Sequence, residues 1–153
     1  YVKHLGHEIT QPGKGFNGTL PGVPALLETL QAREDVFLGL LTGNFRDGAR
    51  SKLERFGRWR YFPCGAFGDD SPDRNALVPV ALERAAACGL APLQPADVIV
   101  VGDTPNDVAC AQVVGAVPVG VATGNYTLDE LRACGAEVVF ETLEDAVGFA
   151  RLL

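Results

Sequence analysis

The sequence has 153 residues, 47% hydrophobic and 21% charged, with a formal net charge of −6. That is enough apolar chain for one domain with a real core, and too ordinary a composition for disorder. Its scattered acidic residues argue against nucleic acid or an anionic membrane as a partner, and the absence of any long apolar run or signal-like start makes the cytoplasm the expected location.

Residues 1–20 mix His, Gly, Pro and Lys without a sustained period and read as a connection or the tail of another element. Gly13-Lys14-Gly15-Phe16-Asn17-Gly18 has dinucleotide-loop spacing, but no strand precedes it and Pro21 and Pro24 follow, so it reads as a plain loop. His4 and His7 have no carboxylate or thiol cluster beside them and read as surface residues. From there the pattern alternates. Pro24–Ala32 is a helix, and Val36–Leu41 is an apolar strand ending in Thr42-Gly43-Asn44. Arg46–Phe56 is a helix and Tyr61–Phe67 a short aromatic strand. Arg74–Cys88 is a helix with Leu77, Val78, Ala81, Leu82 and Ala85 on one face. Val98–Val101 is a strand, Pro105–Val114 a helix, Val117–Val121 a strand and Leu128–Ala133 a helix. Glu137–Phe140 and Leu143–Leu152 close the chain as strand and helix. Strands apolar throughout, separated by amphipathic helices, imply a parallel sheet covered on both faces. Cys64, Cys88, Cys110 and Cys134 form no Cys-x-x-Cys pair, so neither a zinc site nor a disulfide framework is expected. The last three read as core filler on helices.

Three strand ends carry polar residues on what should be one edge of the sheet, where ligands bind in open α/β folds. At the first, the Thr42 hydroxyl and the Gly43 and Asn44 backbone could hold a phosphoryl oxygen, although Thr-Gly-Asn is also good turn chemistry. At the second, Arg74 could neutralise phosphate charge, or could pair on the surface with one of Asp69, Asp70 and Asp73. The third is Val98-Ile-Val-Val-Gly102-Asp103-Thr-Pro-Asn-Asp107. There Asp103 ends a buried strand and Asp107 lies in the turn after it, two hard oxygen ligands suited to magnesium holding a phosphate. A helix cap with a solvated start is the alternative.

Together Leu-Leu-Thr42-Gly-Asn, Arg74 ahead of Ala81-Leu-Glu-Arg-Ala, and Val-Gly102-Asp103-Thr-Pro-Asn-Asp107 resemble the second, third and fourth motifs of the haloacid dehalogenase (HAD)-like hydrolase superfamily, in order. Val114-Gly-Ala-Val-Pro-Val-Gly-Val-Ala-Thr-Gly, Leu131-Arg-Ala-Cys-Gly-Ala-Glu-Val-Val-Phe and Leu20-Pro-Gly-Val-Pro-Ala-Leu-Leu are similar to its phosphoglycolate-phosphatase-like branch. The resemblance implies a three-layer α/β sandwich with a parallel Rossmann-like sheet. It makes residues 1–20 the tail of a helical cap or linker and residues 21–153 the core. It also implies an aspartyl-phosphate mechanism in which Thr42 and Arg74 are catalytic and Thr42, Gly43, Asn44 and Arg74 bind the phosphoryl group. Asp103 and Asp107 would hold Mg2+. Arg74 stands where the family usually has Lys.

The family's first motif, Asp-x-Asp-x-Thr, has no counterpart in the chain, which begins at Tyr1 and contains no methionine. The expectation is therefore an incomplete core: the first strand with its nucleophile, and most of the cap, belong to an upstream segment, and Val36–Leu41 and Val98–Val101 are not hydrogen-bonded to each other. The expected function is a magnesium-dependent phosphatase of a small phosphorylated metabolite, with the 153-residue chain inactive by itself. A β-phosphoglucomutase-like phosphomutase or a 2-haloacid dehalogenase is the enzymatic alternative, and a non-catalytic binding or scaffold domain the alternative of another class.

Overall fold

The computed structural model describes residues 20–153. The expected tail, the Gly13–Gly18 loop and the His4/His7 pair thus lie outside the described residues, Leu20 apart. Strands and helices alternate: α1 (Val23–Gln31), β1 (Gly39–Leu41), α2 (Arg46–Arg55), β2 (Cys64–Ala66), α3 (Leu77–Ala87), β3 (Ile99–Gly102), α4 (Pro105–Val113), β4 (Val117–Val121), α5 (Leu128–Ala133), β5 (Val138–Phe140) and α6 (Ala146–Ala150). Single 3-10 turns occupy Trp59–Tyr61, Arg74–Ala76 and Pro95–Asp97.

Every strand pairing is parallel, as strands joined through helices require. Among the described residues the strands form two separate sheets, β1–β2 and β3–β4–β5. In the first, Gly39 pairs with Cys64 and Leu41 with Ala66; in the second, Ile99 pairs with Val117, Gly102 with Gly120 and Val121 with Phe140. As expected, β1 and β3 share no ladder. Helices cover both faces. On one, Val78 of α3 and Cys110 and Ala111 of α4 pack with Val100 and Ala116, and with Leu41 and Leu82 at the margin. On the other, Leu26 and Leu30 of α1 and Phe149 of α6 pack on Val119, Ile99 and Val117. Leu131 of α5, fully buried, closes a third cluster with Val108 and Ala136. The two faces and the sheets between them make the three layers of an α/β sandwich.

Several elements are shorter than the sequence suggests. Of Val36–Leu41 only the last three residues pair, because β2 offers just three partners; Val36 and Leu38 pack half-buried against the α1/α6 layer without joining a ladder. The aromatic stretch from Tyr61 begins as a 3-10 turn, with Tyr61 2% exposed. The helix expected from Arg74 starts as a separate turn because the Asp73 carboxylate accepts the Asn75 N–H (2.9 Å), and regular α-helix begins at Leu77. Asp145 does the same for the last helix, accepting the Gly148 N–H at 2.7 Å. Only one of the three cysteines expected in the core is there. Cys110 is fully buried, whereas Cys88 and Cys134 are exposed. Both are the last residue before a left-handed glycine, Gly89 (φ 94°) and Gly135 (φ 98°), where the chain turns away from the apolar face.

Candidate functional site

Thr42 and Asp103 follow directly on β1 and β3, whereas Arg74 comes eight residues after the end of β2, in the turn that precedes α3. After β1, the Thr42 N–H extends the ladder by donating to the Ala66 carbonyl (3.1 Å). Its hydroxyl oxygen accepts from the Asn44 backbone N–H (3.1 Å) and from Asn44 Nδ2 (3.2 Å). A hydroxyl that accepts twice still has its proton to give, so Thr42 Oγ1 remains a donor. The Asn44 amide is meanwhile spent on holding it. Gly68, just past β2, clamps this loop: its N–H donates to the Asn44 carbonyl (2.9 Å), and a Cβ there would come within 2.1 Å of the Gly43 oxygen.

Arg74 lies in the turn that opens α3. Its Nη1 approaches Gly43, 3.3 Å from where a Cβ would be. Its Nε and Nη2 both donate to Asp107 Oδ1, the former at 3.1 Å. Asp107 is 5% exposed and is the one charged side chain buried among the described residues. Its other oxygen, Oδ2, accepts from the Thr104 N–H (3.1 Å) and Thr104 Oγ1 (2.8 Å), which tethers the first turn of α4. A buried carboxylate needs such partners, and here four donors supply them. The alternative thus holds in half: Thr104 and Asp107 do form a helix cap, but Asp107 is buried rather than solvated. Gly102, the last residue of β3, makes the room: a Cβ on it would lie 2.2 Å from Asp107 Cβ and Cγ.

Asp103 contrasts with its neighbour. Among the described residues no donor reaches its carboxylate, which rests against Gly124 in the turn after β4, where a Cβ would come within 2.4 Å of Oδ2. One carboxylate of the pair is fully engaged and the other is open. No group of three or more His, Cys, Asp or Glu side chains gathers among the described residues. That donor set fits a hard cation such as magnesium, which is held by one or two carboxylates and completes its shell with water and phosphate oxygens.

The three aspartates nearest Arg74 in sequence, which offered it a surface pairing, are each occupied elsewhere. Asp69 Oδ1 accepts the Arg46 N–H (3.1 Å), Asp73 accepts the Asn75 N–H, and Asp70 takes both ends of the Arg84 guanidinium at 2.6 Å each. Thr104, Gly124 and Arg84 are the neighbours that sequence reasoning missed, and Asp70, offered as a partner for Arg74, pairs with Arg84 instead. The glycines at strand ends, Gly102 above all, were the available signal.

The described residues thus form an open parallel α/β domain with a half-buried guanidinium on a buried carboxylate, an open carboxylate and a donor hydroxyl. The HAD-hydrolase-like family matches residues 75–146. A protein of Dickeya dadantii (strain 3937) named probable phosphatase IndB is 30% identical over 148 residues, 93% of this chain and 58% of that protein. A phosphoglycolate phosphatase of Rhodospirillum rubrum is 32% identical over 151 residues, 97% of this chain and 60% of its own length. The fold matches the crystal structure of a predicted phosphoglycolate phosphatase from Haemophilus somnus with a TM-score of 0.76 at 21% identity, over 97% of this chain and 62% of that one. The chain belongs to the HAD-like hydrolases. It spans about three fifths of the length of the curated relatives it matches.

Proposed function

We propose that the protein is a magnesium-dependent phosphatase acting on a small phosphorylated metabolite, and that residues 21–153 form its core. Asp103 binds the metal directly, since its carboxylate is the open one. Asp107 lies behind it, holding Arg74 with one oxygen and the start of α4 with the other. Arg74 offers its remaining N–H groups to the phosphoryl oxygens as charge develops, and Thr42 donates its hydroxyl proton to the same group with the Gly43 backbone beside it. Magnesium, when bound, neutralises phosphate charge and orients the ester.

The nucleophile, in this reading, is a carboxylate on a strand that occupies the slot between β1 and β3. Support comes from the open edges of those two strands, from the 41% exposure of Val101 in β3, and from the shared coverage of the relatives. The observation that carries the proposal is the Arg74–Asp107 pair, a cation fixed at the sheet edge beside the Thr42 loop. The test is turnover of p-nitrophenyl phosphate with magnesium by the protein with its natural upstream sequence and by the 153-residue chain. Activity is expected only in the longer protein, and Asp103→Asn is expected to abolish it and its magnesium dependence. Turnover by the 153-residue chain that Asp103→Asn removes would overturn the assignment of the nucleophile to another segment.

A further inference from the structure

Arg74 can reach Asp107 only if the loop that carries it is held and if nearer carboxylates leave it alone. Residues 67–73 leave the end of β2 and cross toward α3, and Asp70 is the bolt. Its Oδ2 accepts the Phe67 N–H at 2.8 Å, so it closes the loop on itself. Both its oxygens take Arg84, the planar two-pronged pairing that fixes angle as well as distance. Arg84 Nη1 donates in addition to the Gly65 carbonyl of β2 at 2.8 Å, so one guanidinium ties the strand, the loop and α3 together. The Asp70 side chain is 17% exposed, with its partner Arg84 at 34%.

We propose that the Asp70–Arg84 pair is a positioning device for Arg74: it locks the loop that presents Arg74 to Asp107, and it removes from competition a carboxylate only four residues from the Arg74 guanidinium. The proposal rests on the reading that Arg74 serves the phosphoryl group. The sequence of this stretch, Asp69-Asp70-Ser-Pro-Asp73-Arg74, puts three anions next to the cation the site needs. Asp69 and Asp73 are engaged by backbone N–H groups. Asp70 has the Phe67 N–H and, in addition, a second cation, Arg84, on both its oxygens. The depressed pKa of Asp70, caused first by Arg84 and then by the Phe67 N–H, fits a carboxylate held charged within this arrangement.

The two duties separate in a mutant cycle. In the protein with its upstream sequence, Arg84→Gln releases a charged Asp70 that draws Arg74 away. A fall in kcat of about tenfold to a hundredfold, with a smaller change in KM, is expected for a misplaced group. Asp70→Asn loosens the loop but leaves no competitor and should cost less. The double variant Asp70→Asn/Arg84→Gln should regain several-fold over Arg84→Gln alone, which a purely structural bolt cannot do. Double-variant activity equal to or below that of Arg84→Gln, or an Arg84→Gln enzyme as fast as wild type, would overturn the proposal. The Arg74 Nε–H resonance, identified by its loss in Arg74→Lys, gives a reading independent of turnover. It should shift in Arg84→Gln and return in the double variant. A protein that hydrolyses no phosphate ester refutes the phosphatase reading while this resonance still tests the positioning. Should Arg84→Gln fail to fold, an Asp70→Asn enzyme with unchanged kcat and an unshifted Nε–H refutes it alone.

Discussion

Gly102→Ala is the most direct test of how backbone packing sets the site. The residue sits at the end of β3 with no left-handed φ, so the substitution is unopposed by its own backbone. What opposes it is Asp107, whose Cβ and Cγ lie 2.2 Å from the position of the added methyl carbon and whose Oδ2 lies 2.4 Å away. Ordinary contact needs about 3.5 Å, so the start of α4 must back off by roughly 1 Å or the Asp107 side chain must swing out. Overpacking of this kind costs about 1–3 kcal/mol. Losing the Asp107–Thr104 tether adds about 1 kcal/mol. A total of about 2–4 kcal/mol lowers the melting temperature of a protein of this size by roughly 4–16 °C. A 1 Å displacement of the Arg74 anchor should lower kcat by about a hundredfold. Thermal unfolding and p-nitrophenyl phosphate turnover read the two effects. Gly39→Ala is the control: nothing lies within 4 Å of its Cβ position, and it should leave both unchanged. A Gly102→Ala protein with wild-type melting and wild-type turnover would refute the claim that this glycine makes room for Asp107.

Two further outcomes concern stability alone. The Asp70 pKa is lowered in the folded state, chiefly by Arg84 and the Phe67 N–H. Its contribution is therefore complete above the unfolded value of about 3.9 and is lost as pH falls through the lower folded one. The stability difference between wild type and Asp70→Asn, measured by urea unfolding, should hold from pH 7 to about 4.5 and then narrow; a constant difference down to pH 3 would contradict the assignment. Leu131, fully buried between α4, α5 and β5, should cost about 2–5 kcal/mol when cut to Ala, whereas Val147→Ala, at a position 68% exposed, should stay within about 0.5 kcal/mol by the same measurement.

The alternation of strand and helix was legible because strands buried on both faces are apolar throughout, and β4 and α5 match their expected bounds to the residue. The site was legible only as separate pieces. Thr42, Arg74, Asp103 and Asp107 each follow a recognisable strand or open a recognisable helix, but nothing local says which carboxylate Arg74 chooses. Its partner lies 33 residues away while three aspartates lie within five. The choice is made by other donors: two backbone N–H groups and the Arg84 fork take the nearer anions, and this depends on how β2, α2 and α3 meet. The division between Asp103 and Asp107 was hidden for the same reason. Both are Asp in one turn, and only Gly102 and the Thr104 cap decide which is buried and engaged. Cys88 and Cys134 show the limit of periodicity, since a residue one step past the last helical turn no longer shares the face its spacing assigns.

The Arg74–Asp107 bond also has a place in the architecture. Arg74 enters from the connection that follows β2, and Asp107 from the connection that follows β3, so the bond joins the β1–β2 sheet to the β3–β4–β5 sheet across the slot where no ladder runs. Among the described residues, apolar ties also cross that slot: Val78 and Leu82 of α3 touch the same cluster as Leu41 of β1 and Val100 of β3, and Leu38 shares the opposite layer with Ile99. Apolar contacts fix how far apart the two sheets lie, but they tolerate sliding along the strands. A guanidinium giving two N–H groups to one buried oxygen does not, because its geometry fails within a fraction of an ångström. On the proposed function, this bond aligns the two half-sheets at their carboxyl edge so that the Thr42 hydroxyl and the Asp103 carboxylate can serve one phosphate. Lysine, with a compact ammonium on a flexible stem, would supply the charge but less of this alignment. That is the physical sense of an arginine at this position in a domain whose sheet is divided.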